Sequence, residues 1–462
     1  MRAVTTVEEM RDIDAAAQKQ VPVEALIERA GRQVARRALQ MIGGAYGRRV
    51  VVVAGKGHNG DDGRVAARRL AERGVRVSVV DAAGAPDRLP PCDLVIDAAY
   101  GTGFRGEYRA PMAPDAVPVL AVDIPSGLDG DTGEAGEEAV RADATVTFAA
   151  YKPGLLLGEG PDRAGRVEVV DIGLDTSSAS AWLVDDSDVA ALVPPRPREA
   201  HKWQTGVGVI AGSPGMLGAA QLCSRAAMRS GAGMVRLGVP GAGPADLPVG
   251  ETVSRGLPAQ DWAAEALEWT ERCKAVVVGP GLGRDDATVA AARQLIARAP
   301  VPLVVDADGL FALGGSAANG LKGRSAPTVL TPHAGEFSGL AGGPPNADRL
   351  RSVRDLAERV GAVVLLKGST TVVAEPEGPV LLSASGGPWL ATAGTGDVLS
   401  GVIGALLARG VDALESAGLG AHIHGAASRR GRDQGLIAGD LPDLVGRTLG
   451  GLTAGRPASG AG

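Results

Sequence analysis

Short, almost entirely apolar runs alternate with helical patterns along this chain, and this alternation most limits its possible folds. Strands that are apolar throughout must be covered on both faces, and helices in the connections supply that cover. The pattern therefore predicts an α/β protein built on parallel sheets. The best-defined helix covers 24–42, where apolar residues recur at helical spacing. In the first half, strands are predicted at 49–54, 75–81, 92–97, 117–123 and 144–150.

A proline-rich, charged stretch at 186–206 separates two such alternating series, and a new strand follows it at once. With 462 residues the chain is long enough for two substantial cores. We predict a Rossmann-like three-layer αβα domain at 1–187 and a second α/β domain at 188–450. The Gly-, Ala- and Ser-rich end, 451–462, is predicted to be a flexible tail.

Charge and cysteine content exclude several classes of protein. The net charge is −6, and Lys and Arg are scattered rather than clustered, which argues against a nucleic-acid surface. The three cysteines lie far apart and form no CxxC pair, which suits buried thiols in a reducing compartment better than a zinc site. No apolar run resembles a signal peptide or a membrane span. We expect a cytoplasmic enzyme with no nucleic-acid or membrane partner.

Four loops in the first half follow predicted strands, at the sheet edge where ligands bind in such folds. One carries Gly55-x-Gly57-x-x-Gly60 between a strand and a helix, as a dinucleotide fingerprint does. The oxygen atoms of Asn59, Asp97 and Ser126 suit a cation. Asp123 ends a buried strand, where burial raises a carboxyl pKa and makes acid/base chemistry feasible. The alternatives are a tight turn for the glycines and capping or turn bonds for the acids.

The ordered motifs "AGKGHNGDDG", "DAAYGTGFRGE", "VDIPSGLDGDTG", "YKPG" and "DIGL" resemble those of the NAD(P)H-hydrate epimerase domain. The resemblance implies a Rossmann-like fold and interconversion of the R and S forms of NADHX and NADPHX, reduced nicotinamide cofactors hydrated at a ring double bond. It implies a potassium ion at Asn59, Asp97 and Ser126, and Asp123 as the acid/base. It places the hydrated cofactor against His58, Asn59, Gly60, Asp61, Asp62, Gly101, Thr102, Gly103, Phe104, Arg105, Gly106, Glu107 and Asp123.

The first of these motifs departs from the family pattern, which is usually Asn-Asn-Gly-Gly-Asp-Gly. His58 stands for Asn and changes a polar contact, and Asp61 stands for Gly. Asp61 adds a negative charge where an anionic pyrophosphate would approach, and a Cβ where the backbone could need a positive φ.

The second half contains "TAGTGDVLSG" at 392–401, a single acid among small residues before an apolar run. Asp397 could simply cap a helix, since Asp is a common N-cap residue. Alternatively, the glycine turn leaves backbone N–H groups free at a helix N-terminus for an anion, with the acid beside it as a base.

Other loops of the second half follow predicted strands and carry residues suited to binding or catalysis. They contain "GPGLG" at 279–283, the acid pair Asp306 and Asp308, His333 with Glu336, and "LKGSTT" at 366–371. Singly, each has a plain alternative: a loop histidine bonded to the backbone, a solvated lysine or a capping acid pair. Together they comprise a base, an anion hole, a lysine and flexible loops on one sheet edge.

This ordered set is similar to that of the ribokinase-like superfamily and, within it, of the ADP/ATP-dependent NAD(P)H-hydrate dehydratase; "TPHAGE" and His201-Lys202 favour the dehydratase. The resemblance implies that ADP or ATP, accompanied by magnesium, phosphorylates the ring hydroxyl of S-NAD(P)HX, and that phosphate loss restores the reduced cofactor. It makes Asp397 the base and Gly394, Thr395 and Gly396 the anion hole. It assigns the nucleotide to Lys367, Gly368, Ser369, Thr370, Thr371 and Gly396, and the hydrated cofactor to Ala219, Gly281, His333 and Asp397.

Two departures from the dehydratase pattern lie at Trp203-Gln204 and at Phe311. Neither touches the predicted base or anion hole. The sequence thus indicates a bifunctional repair enzyme, and relatives imply a homo-oligomer. The alternatives are a ribokinase-like kinase of a small alcohol, which would not require the first domain, and a dehydratase whose first half only binds ligand. A third alternative, an NAD-dependent dehydrogenase, requires a substrate domain with a catalytic histidine, and the sequence shows no obvious one.

Overall fold

The computed structural model describes residues 1–104, 106, 108–431 and 434–454. The chain divides into two compact units that part between Ala181 and Trp182. None of the helices in these residues has the length and apolar character needed to cross a lipid bilayer. The two units are described separately below.

The N-terminal unit is an α/β structure around a parallel sheet. Within its described residues the strand order is β3-β2-β4-β5-β6-β7, and every neighbouring pair is parallel. In chain order its elements are β1 (Arg2–Val4), α1 (Val7–Gln18), α2 (Val23–Met41), β2 (Arg49–Ala54), α3 (His58–Glu72), β3 (Arg76–Asp81), β4 (Leu94–Ala98), β5 (Val119–Val122), β6 (Ala144–Phe148), α4 (Pro153–Leu156), α5 (Gly160–Ala164) and β7 (Arg166–Val170).

The valines of β2 show why this sheet needs cover on both faces. Val50 and Val52 belong to the core that α2 and α3 close, whereas Val51 and Val53 face a second core with Leu89 and Val95. All the strands predicted for this half are present, although β5 is shorter than predicted, and β7 was not predicted.

The C-terminal unit is a larger α/β structure. Among the described residues of this unit the sheet order is β8-β17-β16-β15-β14-β13-β12-β9-β10-β11, and β16 runs antiparallel to β15 and β17. In chain order its elements are β8 (Ala181–Leu183), α6 (Asp186–Leu192), β9 (Gly206–Ile210), α7 (Leu217–Arg229), β10 (Met234–Pro240), β11 (Val253–Leu257), α8 (Ala263–Thr270), β12 (Ala275–Val278), α9 (Asp286–Arg298), β13 (Leu303–Val305), α10 (Asp308–Leu313), α11 (Ala317–Leu321), β14 (Thr328–Leu330), α12 (Ala334–Ala341), α13 (Arg349–Val360), β15 (Val363–Leu366), β16 (Thr371–Ala374), β17 (Val380–Ser383), α14 (Thr395–Ala408), α15 (Ala413–Ser428) and α16 (Leu441–Thr453).

Helix α14 is the central buried helix of this unit. Nearly every residue from Val398 to Ala408 is buried, which is the pattern of a helix surrounded by protein on all sides. It packs so closely on α7 that a Cβ on Gly401 would lie 2.1 Å from the Cys223 carbonyl oxygen.

The C-terminal end of the chain corrects one prediction. Residues 451–453, placed in the flexible tail, form the last turn of α16, where Leu449 is buried. The remaining tail residues after Ala454 lie outside the described residues.

Candidate active sites

In the C-terminal unit, the loop before α14 is built as an anion-binding helix terminus. Gly394 caps the helix with a φ of +92°, a left-handed conformation that glycine adopts without strain. Within the described residues, the Gly394 and Gly396 N–H groups have no hydrogen-bond acceptor, whereas the Thr395 N–H donates to the Thr392 carbonyl at 3.3 Å. Two of the three predicted anion-hole amides are therefore free, and Thr395 is engaged.

Asp397 lies in the first turn of α14 and is not its N-cap residue. Burial is the main cause that raises the pKa of Asp397 to about 7, and the negative charge of Asp306 adds to it, whereas Lys367 opposes the shift. A carboxyl that titrates near neutral pH is suited to accept a proton from a hydroxyl group.

A partly buried ion pair lies beside this loop. The Lys367 ammonium is 2.8 Å from one oxygen of Asp306 and 3.5 Å from Glu336. It also lies 3.5 Å from the position that a Cβ on Gly396 would take. The lysine after β15 thus brings a positive charge to the predicted anion hole.

The residues predicted to contact the substrate lie around the same loop. A Cβ on Gly281 would meet the Ala219 side chain at 3.0 Å, and one on Gly394 would meet Leu222, one turn further along α7. His333 caps α12, its Nδ1 accepting from the Gly335 N–H at 3.0 Å, and Glu336 of that helix reaches Lys367. The remaining predicted nucleotide residues, Gly368, Ser369, Thr370 and Thr371, form the connection from β15 into β16.

The two departures from the dehydratase pattern lie in cation–π contacts. Trp203 is stacked between the guanidinium groups of Arg236 and Arg272, at 4.8 and 4.2 Å from its ring centroid. Phe311 is half exposed and lies under Arg284.

In the N-terminal unit, a cavity of about 710 Å³ opens beside α1, α2 and the loops that follow β2, β4 and β6. Its size is typical of sites for small ligands. Among the predicted residues, those that line it are His58, Asn59, Asp62, Gly101, Thr102, Gly103, Phe104 and Asp123.

Asp123 is held in a strained and charged setting within this cavity. Its φ is +67°, which is uncommon for a residue with a side chain and typical of functional sites. The fully buried Lys152 donates to its carboxylate at 2.6 Å and to the Thr147 hydroxyl at 2.8 Å. Lys152 therefore fixes one oxygen of the carboxylate.

Asp62 is also buried against this cavity. Burial, followed by repulsion from Asp123, Asp61 and Asp14, raises the pKa of Asp62 to about 9, so its carboxyl group is protonated at neutral pH. The cavity therefore holds a carboxylate and a carboxylic acid, the two forms that acid/base catalysis uses.

The residues predicted to bind potassium also lie at the cavity edge of this sheet. Ser126 donates its hydroxyl to the buried Asp97 carboxylate at 2.7 Å, and burial raises the pKa of Asp97 to about 6. The Asn59 side-chain amide is buried, and neither its oxygen nor its nitrogen has a partner within the described residues. An unpartnered amide oxygen beside a buried carboxylate suits a hard cation.

Some predicted contacts lie apart from the cavity lining. Gly60 packs on the backbone, where a Cβ would lie 2.0 Å from the Gly55 carbonyl oxygen. Asp61 is helical and has no positive φ, so the expected backbone strain does not occur. Its carboxylate forms a salt bridge to Arg64 at 3.0 Å. Gly106 is not among the lining residues either. Arg105 and Glu107 lie outside the described residues.

Lys152 and Asp14 are among the charged residues of this cavity that sequence analysis missed. Lys152 stands in the "YKPG" loop, which the sequence did mark, but no pattern showed that its side chain would turn inward. Asp14 comes from α1, far from the motif loops in sequence; burial is the main cause that raises its pKa.

Comparison with known proteins identifies both halves. A family model described as NAD(P)H-hydrate dehydratase matches residues 207–450, and one described as YjeF-related protein N-terminus matches residues 23–90 and 81–154. The chain is 39% identical to a bifunctional NAD(P)H-hydrate repair enzyme of Salinibacter ruber, over 92% of each chain.

Two solved structures resemble the C-terminal unit. The ADP/ATP-dependent NAD(P)H-hydrate dehydratase of Bacillus subtilis, co-crystallised with ATP and Mg²⁺, matches with a TM-score of 0.50 at 29% identity, over 58% of this chain and 97% of that one. A ribokinase-like superfamily protein of Enterococcus faecalis matches with a TM-score of 0.52 at 20% identity, over 59% and 96%. The predicted ribokinase-like fold is thereby confirmed.

Proposed function

Because the chain belongs to the family of bifunctional NAD(P)H-hydrate repair enzymes, we propose that it dehydrates S-NAD(P)HX at the expense of ADP or ATP and epimerises the R form. The observation that carries the proposal is the partly buried carboxyl group of Asp397, whose pKa is raised to about 7, beside free amides and the partly buried ammonium of Lys367. This set of groups supplies what phosphoryl transfer to a hydroxyl requires.

In the dehydration, Asp397 takes the proton from the ring hydroxyl of S-NAD(P)HX. The hydroxyl oxygen attacks the terminal phosphorus of the nucleotide, and the bond from that phosphorus to the leaving nucleotide breaks. Loss of the phosphate from the ring, with a proton from the neighbouring carbon, restores the double bond. The products are reduced cofactor, inorganic phosphate and AMP if ADP is the donor.

The neighbouring groups stabilise the charge that this transfer develops. The free N–H groups of Gly394 and Gly396 and the ammonium of Lys367 face the phosphoryl oxygens, and preorganised donors of this kind typically lower a barrier by several kcal/mol. Magnesium enters as part of the nucleotide substrate. No group of three or more His, Cys, Asp or Glu side chains among the described residues forms a metal site of its own.

In the epimerisation, Asp123 is the acid/base, with its carboxylate fixed by Lys152. Potassium would be held by oxygens of Asn59, Asp97 and Ser126, and it would supply positive charge beside the substrate. The unpartnered Asn59 amide supports this assignment.

Potassium, but not lithium, should raise the melting temperature of the wild type, and this increase should be lost in Asp97→Asn. An equal increase from both ions would contradict the site.

The proposal is tested by giving the purified chain separate R and S samples of NADHX with ADP or ATP and following the near-ultraviolet absorbance of the reduced nicotinamide. Recovery from both samples supports both activities. Recovery from the S sample alone would reduce the N-terminal unit to a binding module, and recovery from neither would favour a small-alcohol kinase.

Asp397→Asn should abolish recovery while leaving nucleotide binding. The rate should fall by roughly 10²- to 10⁴-fold, the usual contribution of a general base. Asp412→Asn is the matched control, because Asp412 caps α15 through the Leu414 N–H and asparagine caps equally well. Normal turnover in Asp397→Asn would refute its role as the base.

We further propose a cytoplasmic setting and a homo-oligomer. The free thiols Cys92, Cys223 and Cys273 support a reducing compartment. The oligomer rests on family resemblance, and sedimentation of the purified chain tests it.

A further inference from the structure

The Asp306 carboxylate, which the reaction above does not use, joins three elements at the edge of the C-terminal sheet. It follows β13 and is 1% exposed. One oxygen accepts from Lys367, after β15, at 2.8 Å, and the other accepts from the Ser400 hydroxyl, on α14, at 2.6 Å. A carboxylate buried this deeply is stable only because each oxygen is paired.

These contacts decide where the Lys367 ammonium lies. It is bound to Asp306 and lies near Glu336, and no described cation forms a salt bridge with Asp397. Yet the ammonium is close to the Asp397 loop, because it lies 3.5 Å from the position of a Cβ on Gly396. Without Asp306, the carboxylates left around this ammonium would include Glu336, at 3.5 Å, and Asp397, whose pKa the ammonium already lowers.

A salt bridge to Lys367 would impair Asp397 as a base. An opposite charge at contact distance lowers a carboxyl pKa by about 1 to 3 units, and a weaker base draws the proton from a hydroxyl group less effectively. The charged and titratable groups that face Asp397 come from five elements or their ends: Asp306, Lys367, Asp308, Glu336 and Cys223. Lys367 is the single cation of that set.

We propose that Asp306 is a positioning residue, whose carboxylate holds the Lys367 ammonium beside Gly396 and away from Asp397. The base is thereby left unpaired while the positive charge stays at the anion hole. This inference rests on the proposed dehydratase function. It assigns a purpose to the first acid of "DADGL", for which the sequence offered helix capping as the alternative.

The test is the pH dependence of kcat for S-NADHX with saturating ADP, measured in the wild type, Asp306→Asn and Lys367→Met. In Asp306→Asn the low-pH limb of the profile should shift to a pH that is lower by about one unit or more, because Lys367 pairs with Asp397. The plateau should fall by roughly tenfold or more, because the base is weaker. In Lys367→Met the low-pH limb should shift to higher pH, because the cation that lowers the pKa of Asp397 is gone. General damage to the fold would lower the plateau without moving the limb.

A double variant separates positioning from the bare charge of Asp306. In the Lys367→Met background, Asp306→Asn should move the limb less than it does in the wild type, because no lysine remains to move. Asp308→Asn is the matched control, since Asp308 is held by Arg284 and the Gly283 N–H and not by Lys367, and its shift should be smaller.

If Asp306→Asn does not fold, Ser400→Ala loosens the same carboxylate and should give a smaller shift in the same direction. The inference would be overturned if the low-pH limb kept its position in all of these variants. It would also be overturned if Asp306→Asn shifted the limb equally in the wild type and in the Lys367→Met background. Since the wild type must first show recovery from S-NADHX, failure of the proposed function is distinguishable from failure of this inference.

Discussion

At the scale of single residues, Asp397 is notable for having no ion-pair partner among the described residues in a site that contains a partly buried lysine. Its burial, rather than a specific partner, is the main reason that its pKa is raised to about 7. A carboxylate that is unpaired and titrates near neutral pH can both accept and release a proton at little cost.

The pH dependence of dehydration follows from this shift. Asp397 must be ionised to act as a base, so kcat with the S form should fall by about tenfold per pH unit below pH 7. The profile is measured with saturating ADP and S-NADHX, each pH checked for intact fold. A limb near pH 4, the ordinary range of a carboxyl group, would contradict the environment described for Asp397.

The sequence could predict Asp397 and Asp123 because each stands in a short motif with unusual small neighbours. It could not predict Lys152 or the role of Asp306. Lys152 is an ordinary lysine in sequence, and its function depends on being turned inward onto Asp123. Asp306 was marked as one of two acids, but the contacts that separate it from Asp308 come from residues distant along the chain.

At the scale of elements, the buried ion pair between β5 and β6 ties the function of the N-terminal unit to its stability. Lys152 is 1% exposed, and its ammonium also bonds to the Phe148 carbonyl at 3.1 Å. Removing the lysine leaves the Asp123 carboxylate, which is 16% exposed, without its charge partner.

Lys152→Met should therefore lower the free energy of unfolding of the N-terminal unit by about 3 kcal/mol and slow epimerisation of the R form. Chemical denaturation measures the first effect. The control is Lys19→Met, an exposed lysine of the same unit, which should change stability by less than about 0.5 kcal/mol. Equal stability of the two variants would show that the pair is not buried as described.

The packing of α14 on α7 positions the catalytic loop, because Gly394 and Asp397 stand at the N-terminal end of α14. Gly401→Ala places a methyl group 2.1 Å from the Cys223 carbonyl oxygen and should force the helices apart. We expect a loss of about 1 to 3 kcal/mol and slower dehydration.

The matched control is Gly450→Ala, in α16, where a Cβ meets nothing within 4 Å. It should stabilise the protein slightly, by about 0.5 kcal/mol, since alanine favours the helix. Thermal unfolding compares the two, and an unchanged melting temperature for Gly401→Ala would contradict the close helix packing.

The predicted elements were the most reliable part of the sequence analysis, since apolar β-branched runs have few alternatives. The edge strands were harder. Strand β11 contains Arg255 and Gly256 and is only partly buried, so it shows no apolar run, and it was not predicted.

At the scale of the whole molecule, the chain holds two compact units, each with its own hydrophobic core and its own candidate site. The two reactions have a common intermediate, because the S form that the epimerase makes is the substrate of the dehydratase.

Separate sites predict complementation between variants. Asp123→Ala should repair only the S form, and Asp397→Asn should repair neither form but still epimerise. A mixture of the two proteins should restore recovery from R-NADHX, because the S form made by one diffuses to the other. Absorbance recovery measures this, with each variant alone as the control, and an inactive mixture would argue against independent sites.

The central claim is that the ring hydroxyl itself is phosphorylated after Asp397 takes its proton. It is tested by preparing S-NADHX whose ring hydroxyl carries a heavy oxygen isotope, adding ADP and the wild-type protein, and analysing the released phosphate by mass spectrometry. The account predicts one labelled oxygen in the inorganic phosphate for each reduced cofactor formed. Label found in water, with unlabelled phosphate, would contradict it.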